Sequence, residues 1–361
     1  MKFAIVGGGG FVGFHIGKDL SNKGYSVLLL DLNKPDEEWG EYSVPFVKVD
    51  VLDREALQRA FQNVDCVIHT VSFGMSGKEQ LDWDKAELVN ITGTMNVIEA
   101  CAAVGVRGLV YTSTFNVVFG GQEIHNGTED LPYFPLHRHV DHYSRTKSIA
   151  EQLILTSDKK SSLRTCALRL SGVMGLKEKR HLPRIVDNLW MLKFTYGKRD
   201  SLVQFVTIEN VVQAHVKAAL GLMNNPDRIG GQAFFISDGI PINNFEFFRP
   251  LIEGLGYTFP TLNLPLWIMW IFSYLSMTFP SLIPLLTPAE VYKTAITHYF
   301  TNDKATRLLG YQPTHPNDLT SVVEYFQNKQ KQNRKPPTRL SPLVPALICL
   351  FLSIIIFRWL L

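Results

Sequence analysis

The sequence predicts a doubly wound α/β fold, a parallel sheet covered by helices on both faces. Three observations predict it. Short apolar runs alternate with helix-period segments over residues 1 to about 240. The runs are apolar throughout instead of alternating with polar residues, as strands buried on both faces require. The first run leads straight into a cluster of glycines.

The runs are Phe3–Val6, Ser26–Leu30, Pro45–Val49, Cys66–His69, Leu109–Thr112, Thr165–Leu168 and Ala233–Ile236. Each is rich in Val, Ile, Leu or Phe, and a polar or glycine break follows most of them. Between them, Phe11–Asn22 and Thr92–Ala103 carry apolar residues at a spacing near 3.6, the mark of helices lying on a sheet.

The first run ends in Gly7-Gly8-Gly9-Gly10-Phe11-Val12-Gly13, which fits G-x-x-G-x-x-G through Gly7, Gly10 and Gly13. Glycines there permit a tight strand-to-helix turn, close backbone approach to a pyrophosphate and close helix–strand packing. The amides of Phe11, Val12 and Gly13 open the helix and face the anion. Such a turn in the first strand–helix unit points to a Rossmann-type dinucleotide site. The second run is followed by Asp31, where a carboxylate accepts from adenosine ribose hydroxyls and repels a 2′-phosphate. That favours NAD over NADP, a preference that neighbouring Lys34 softens. Asp50 and Val51, after the third run, are placed to meet the adenine.

Tyr143-Ser144-Arg145-Thr146-Lys147 is a Y-x-x-x-K, whose spacing puts phenol and ammonium on one helix face. A tyrosine, with an ordinary pKa of about 10, is a poor base at neutral pH, and a neighbouring ammonium favours its phenolate. The fifth run continues to Ser113 and Thr114, hydroxyls at the carboxyl end of a strand, where ligands bind in such sheets.

Together these motifs, with His69-Thr70-Val71-Ser72 and Asn90-x-x-Gly93-Thr94-x-Asn96, resemble the extended short-chain dehydrogenases. Thr112–Val117, Asn126–Tyr133 and Asp141-His142-Tyr143 are similar to the 3β-hydroxysteroid dehydrogenase/isomerase family, including its sterol-4α-carboxylate 3-dehydrogenase branch. Arg180–Val186, Phe235–Gly239 and Asn243–Pro250 look like the 42E branch of the same superfamily, and the resemblance spans residues 2 to 326. It implies an NAD-dependent oxidoreductase acting on an alcohol of a sterol or steroid-like lipid. Tyr143 is then proton acceptor or donor, and Lys147 lowers its pKa and holds cofactor. Thr114 matches the catalytic Ser/Thr, with Ser113 as a second candidate, and Asn90 resembles a proton-relay asparagine. The sequence departs from the family pattern at Val6, at Leu168-Arg169-Leu170 and at Met174-Gly175-Leu176-Lys177, the last in a loop near the nicotinamide. A nucleotide-sugar epimerase or dehydratase, and a non-catalytic NAD-binding sensor, are the competing readings.

The expected organisation is a dinucleotide-binding domain over 1–170, its sheet completed by a strand near 232–237, and a smaller substrate region over 171–327. Within the latter, residues 254–289 hold no Asp, Glu, Lys or Arg, and 262–287 is the most apolar part. Leu266–Phe279 is free of proline and rises about 21 Å as a helix, short of a bilayer core. A buried core helix, an apolar lid over a lipophilic substrate and a surface set into one leaflet all fit it. Residues 328–342 read as a basic linker, and 343–361 as a transmembrane anchor of 19 residues, about 28 Å long as a helix. The basic flank favours a cytosolic catalytic domain, and the endoplasmic reticulum is the expected membrane.

The net charge of +3, with scattered basic residues, argues against a nucleic-acid partner. Cys66, Cys101, Cys166 and Cys349 form no C-x-x-C pair, so no metal site and no disulfide framework is expected. A homodimer is left open.

Overall fold

The computed structural model describes residues 1–278, 286–315 and 318–332. Seven strands form the main sheet: β1 (Lys2–Val6), β2 (Ser26–Asp31), β3 (Phe46–Lys48), β4 (Cys66–His69), β5 (Gly108–Thr114), β6 (Arg164–Leu170) and β7 (Gln232–Ile236). Their order is β3-β2-β1-β4-β5-β6-β7, and every pairing is parallel. All seven predicted runs are strands, and the ends differ by one or two residues.

The strands are apolar throughout because helices cover both sheet faces. Phe3, Ile5, Leu29, Ile68, Val110, Leu168 and Phe234 point to one face and are buried there. Ala4, Val6, Leu30, Val67, Leu109, Tyr111 and Ala167 point to the other. Burying each large side chain contributes roughly 1.5–3 kcal/mol. The flanking helices include α1 (Phe11–Asn22), α2 (Gly93–Val104), α3 (His142–Thr156) and α4 (Ile208–Asn224). The predicted helix Thr92–Ala103 starts one residue later, after a wide turn over Leu88–Thr92 with π-helical bonding.

Strand order reverses between β1 and β4, and connections leave these two strands in opposite directions. That opens a crevice at their carboxyl ends, where ligands bind in such sheets. The register aligns Val6 with His69 and His69 with Tyr111. Gly7, Thr70 and the end of β5 therefore meet along one edge of the sheet.

The region after β6 does not separate cleanly at residue 170. α4 packs on α1, and β7 returns to pair with β6 in register from Gln232–Cys166 to Ile236–Leu170. Three short parallel pairs build the remainder: Gly172–Met174 with Phe205–Thr207, Phe194–Tyr196 with Leu262–Leu264, and Ile124–Gly127 with His298–Phe300. Helix α5 (Leu266–Thr278) matches the proline-free helix read from the sequence.

Residues 328–332, expected to open the linker, instead belong to helix Thr320–Gln332, which carries Lys329 and Lys331 in its last turn. Cationic side chains suit that end of a helix, where the carbonyls lack partners. Among the described residues no helix is long and apolar enough to cross a membrane. The run 343–361, read as an anchor, lies outside the described residues, as does Cys349. Cys66, Cys101 and Cys166 are free and buried.

Candidate active site

The glycine turn is shaped by contacts that exclude any side chain. Gly7 has φ +91°, and a Cβ there would lie 2.4 Å from the Thr70 hydroxyl. At Gly13 a Cβ would lie 2.2 Å from the Gly7 carbonyl oxygen. Helix α1 therefore starts hard against β1, with the amides of its first turn facing the crevice. Gly9, not distinguished from the sequence, ties this turn to β2: its N–H donates to Asp31 Oδ2 at 3.1 Å. Asp31 Oδ1 accepts from Asn33 N at 3.2 Å, so the carboxylate is fixed at the rim.

Helix α3 is started by Asp141. Its Oδ1 accepts from Ser144 N at 2.7 Å and its Oδ2 from the Ser144 hydroxyl at 2.8 Å. This cap sets the first turn, which carries Tyr143, and fixes Lys147 one turn further on. Burial works against the Asp141 carboxylate. The Lys293 ammonium 3.2 Å away and the Ser144 bonds outweigh it and hold the pKa below its ordinary value.

Lys147 is 1% exposed and donates to the Thr112 carbonyl at 2.7 Å. Its ammonium lies 4.0 Å from the Tyr111 ring centroid. Burial pushes the Lys147 pKa down to about 7, against the pull of Glu151 one turn on. Burial also pushes the Tyr143 phenol up; Arg180 opposes this, as does a hydrogen bond from Ser72. The Y-x-x-x-K spacing predicts that Lys147 lowers the Tyr143 pKa. Arg180 adds a cation that the spacing does not reveal, and it favours the phenolate.

Ser113 and Thr114 part company. The Ser113 hydroxyl donates to Glu151 within a buried network. Glu151 Oε1 also accepts from Tyr133 at 2.9 Å and from Arg169 at 2.9 and 2.8 Å. Thr114 Oγ1 accepts only a long bond, 3.3 Å, from Asn116 N. Thr114 is thus the hydroxyl with capacity left for a ligand.

Asn90 is 1% exposed and sits behind the site. Its Nδ2 donates to the Phe73 carbonyl and to Thr146 Oγ1, both at 2.9 Å, and its Oδ1 accepts from Phe73 N at 2.8 Å. It joins the loop carrying Ser72 to the helix carrying Tyr143.

One cavity of about 1640 Å³ brings these groups together. A single small-molecule pocket spans roughly 300–1,000 Å³, so there is room for a dinucleotide and a second molecule. Gly7, Gly10, Phe11, Val12, Gly13 and Asp31 line one end; Ser72, Thr114, Tyr143, Lys147 and Arg180 line the middle. Phe205, Phe248, Ile268, Met269, Phe272 and Leu275 line the far end, which is mostly apolar. The cradle without side chains and the fixed Asp31 carboxylate fit a dinucleotide with a free ribose 2′-hydroxyl.

Asp50 and Val51 are not brought into this cavity. Asp50 Oδ1 accepts from Leu52 N at 2.9 Å, which turns the chain towards the next helix. Val51 is buried against Gly93, where a Cβ would lie 2.8 Å from Val51 Cγ2. Ser72 and Arg180 are the site residues that motif spacing missed.

The 3-beta hydroxysteroid dehydrogenase/isomerase family model matches residues 4–266. The chain belongs to that family. Membership places it among the NAD-dependent oxidoreductases of the short-chain dehydrogenase/reductase class. It is 47% identical over 359 residues to short-chain dehydrogenase/reductase family 42E member 1 of Danio rerio, covering 95% of this chain and 92% of the relative. It is 33% identical over 343 residues to the decarboxylating sterol-4-alpha-carboxylate 3-dehydrogenase of Mus musculus, covering 91% of this chain and 92% of that one. Among solved structures, UDP-glucose-4-epimerase from Stenotrophomonas maltophila, with bound NAD, superposes with a TM-score of 0.73 at 20% identity. The match covers 92% of this chain and 99% of that one, a likeness of fold.

Proposed function

We propose that the chain is a membrane-anchored oxidoreductase that interconverts a secondary alcohol and a ketone on a sterol or steroid-like lipid, using NAD. The observation that carries this is the continuity of one cavity from the glycine cradle, past Tyr143 and Thr114, into an apolar chamber. Bound NAD supplies the hydride acceptor, and Gly7 to Gly13, Asp31 and Lys147 would hold it. The residues do the remaining work. Thr114 donates to the substrate oxygen and fixes it against Tyr143. Tyr143, as phenolate, takes the hydroxyl proton while the carbon-bound hydrogen leaves with its electron pair. Arg180 and the Ser72 hydroxyl stabilise the phenolate against the cost of burial.

The sterol dehydrogenase relative supports a sterol oxidised at position 3, and the family supports the 3β configuration. The uncharged stretch 254–289 and the apolar run 343–361 support a lipid substrate and a single C-terminal anchor. With the basic residues before that run, they fit a catalytic domain on the cytosolic face of the endoplasmic reticulum.

The test is NADH formation by the detergent-solubilised chain over a panel of 3β-hydroxysterols, with UDP-sugars alongside. Sterol-dependent NADH that vanishes in Tyr143→Phe supports the reading. Faster turnover of a UDP-sugar than of any sterol contradicts it and favours the epimerase alternative.

A further inference from the structure

Three polar side chains in the cavity wall keep hydrogen-bonding capacity that the protein does not use. His298 opens the strand His298–Phe300, lines the cavity and is 3% exposed. Its ring is stacked between Phe115 and Phe119, with centroids 4.7 and 4.2 Å away. Its Nδ1 lies 2.8 Å from the Ile296 carbonyl oxygen. A carbonyl only accepts, so Nδ1 carries the hydrogen, and Nε2 of the neutral ring carries a lone pair. Burial keeps the ring neutral, pushing its pKa down to about 4 against the Ile296 bond, and the Lys293 ammonium acts in the same direction as burial. Among the described residues Nε2 has no hydrogen-bond partner.

Gln204 lines the same cavity and is buried. Its Oε1 accepts from Phe300 N at 2.8 Å, which fixes the amide and leaves the Nε2 donor without a partner among the described residues. His298 N in turn donates to the Leu202 carbonyl at 2.8 Å, so the two segments are tied together. Asn116 also lines the cavity, and its buried Oδ1 has no partner. Asn116 stands two residues beyond Thr114, and Phe115 between them carries the His298 stack. The unspent groups are therefore close to the hydroxyl that fixes the reacting oxygen. Other polar groups of the wall are committed. Glu178 caps three amides, Glu290 pairs with Arg184, and Tyr196 bonds Thr294 at 2.7 Å.

Buried polar groups in proteins are bonded as a rule. A wholly apolar ligand against this wall would leave an acceptor and a donor buried and unpaired, which costs affinity. A ketone or a carboxylate brings only acceptors and has nothing to give the Nε2 lone pair. A hydroxyl answers both groups, donating to His298 Nε2 and accepting from Gln204 Nε2.

We propose that His298 and Gln204, with Asn116 beside them, form a subsite for a second hydroxyl of the substrate, close to the alcohol that is oxidised, so that the preferred ligand is a lipid diol. The lipid rests on the reading above; the second hydroxyl rests on the wall itself.

The test uses the full detergent-solubilised chain with NAD and four sterols. Cholesterol has one hydroxyl. 4β-Hydroxycholesterol and 19-hydroxycholesterol carry a second one near the first, and 25-hydroxycholesterol carries it at the far end as a control. Turnover is measured as kcat/KM, and affinity by equilibrium binding to Tyr143→Phe. His298→Phe keeps the aromatic stack, and His298→Asn keeps a donor for the Ile296 carbonyl; each removes the Nε2 acceptor. The expected result is a preference of about tenfold or more for a near diol over cholesterol, in kcat/KM and in affinity, and none for the 25-hydroxyl. In both variants the ratio of near diol to cholesterol falls towards unity while the melting temperature stays close to that of the wild type. If either variant fails to fold, Gln204→Glu, which keeps the acceptor for Phe300 N and removes the donor, is read in the same way. The subsite is overturned by a wild type that treats near diols and cholesterol alike, as it would if water alone answers these groups. A preference that survives the variants, or one shared by the 25-hydroxyl, overturns it too. If the wild type turns over no sterol, the oxidoreductase reading fails, and the ratio of affinities still decides the subsite.

Discussion

Ser113 and Thr114 are neighbours at the end of β5, yet only the Ser113 hydroxyl is committed, donating to the buried carboxylate of Glu151. Successive side chains of a strand point to opposite faces, so the Ser113 hydroxyl turns to Glu151 on α3 and the Thr114 hydroxyl turns away from it, while both residues line the cavity. The two are expected to separate by experiment. Thr114→Ala lowers kcat by about 10²–10³, the usual effect of removing a hydrogen bond that holds developing charge. Ser113→Ala leaves a charged acceptor short of a donor and costs about 1–3 kcal/mol of stability, with a smaller effect on kcat. Steady-state kinetics with denaturant unfolding on both variants checks this.

Asn90 acts at one remove. Its three bonds, two to the Phe73 backbone and one to Thr146, hold Ser72 against Tyr143. Asn90→Ala is expected to destabilise the protein by about 1–3 kcal/mol and to lower kcat more than it raises the KM for NAD. An equal fall in NAD affinity alone contradicts the assignment.

Asp31 is expected to set cofactor choice. Asp31→Ala removes acceptors for the ribose hydroxyls, each charged bond being worth about 1.5–3 kcal/mol. The KM for NAD is expected to rise about tenfold or more, while the KM for NADP falls. Measuring both cofactors with one sterol substrate checks the direction.

Acid sensitivity follows from three buried imidazoles. Burial drives His69 down to about 3, and His215 and His298 down to about 4. Below an unfolded pKa of about 6.5, the unfolded chain binds protons that the folded chain refuses. Stability therefore falls as pH drops from about 6.5 towards 4, by up to about 1.4 kcal/mol per pH unit for each imidazole. Urea midpoints at pH 7 and pH 5 check the sign. In His215→Gln the drop is expected to be smaller.

The sequence made some of this legible and hid the rest for physical reasons. Strands buried on both faces are written as unbroken apolar runs, so β1 to β7 could be placed. The glycine cradle and Tyr143–Lys147 are local patterns, and local patterns survive in sequence. The electrostatics of the pair were not legible, because burial of Lys147 and the approach of Arg180 are tertiary facts. Asp50 and Val51 lie just beyond a strand end. β3 ends at Lys48, and an aspartate two residues on serves the next turn as readily as a ligand. The composition of 254–289 announced something unusual, but only the exposed stripe Trp267, Ile271 and Tyr274 says which way the helix faces.

The central claim is hydride removal from a lipid alcohol with Tyr143 taking the proton. The most direct measurement uses a sterol carrying deuterium on the carbinol carbon, followed by mass analysis of the recovered NADH. The account predicts deuterated NADH from the wild type and none from Tyr143→Phe. Unlabelled NADH, or equal label from both proteins, would contradict it.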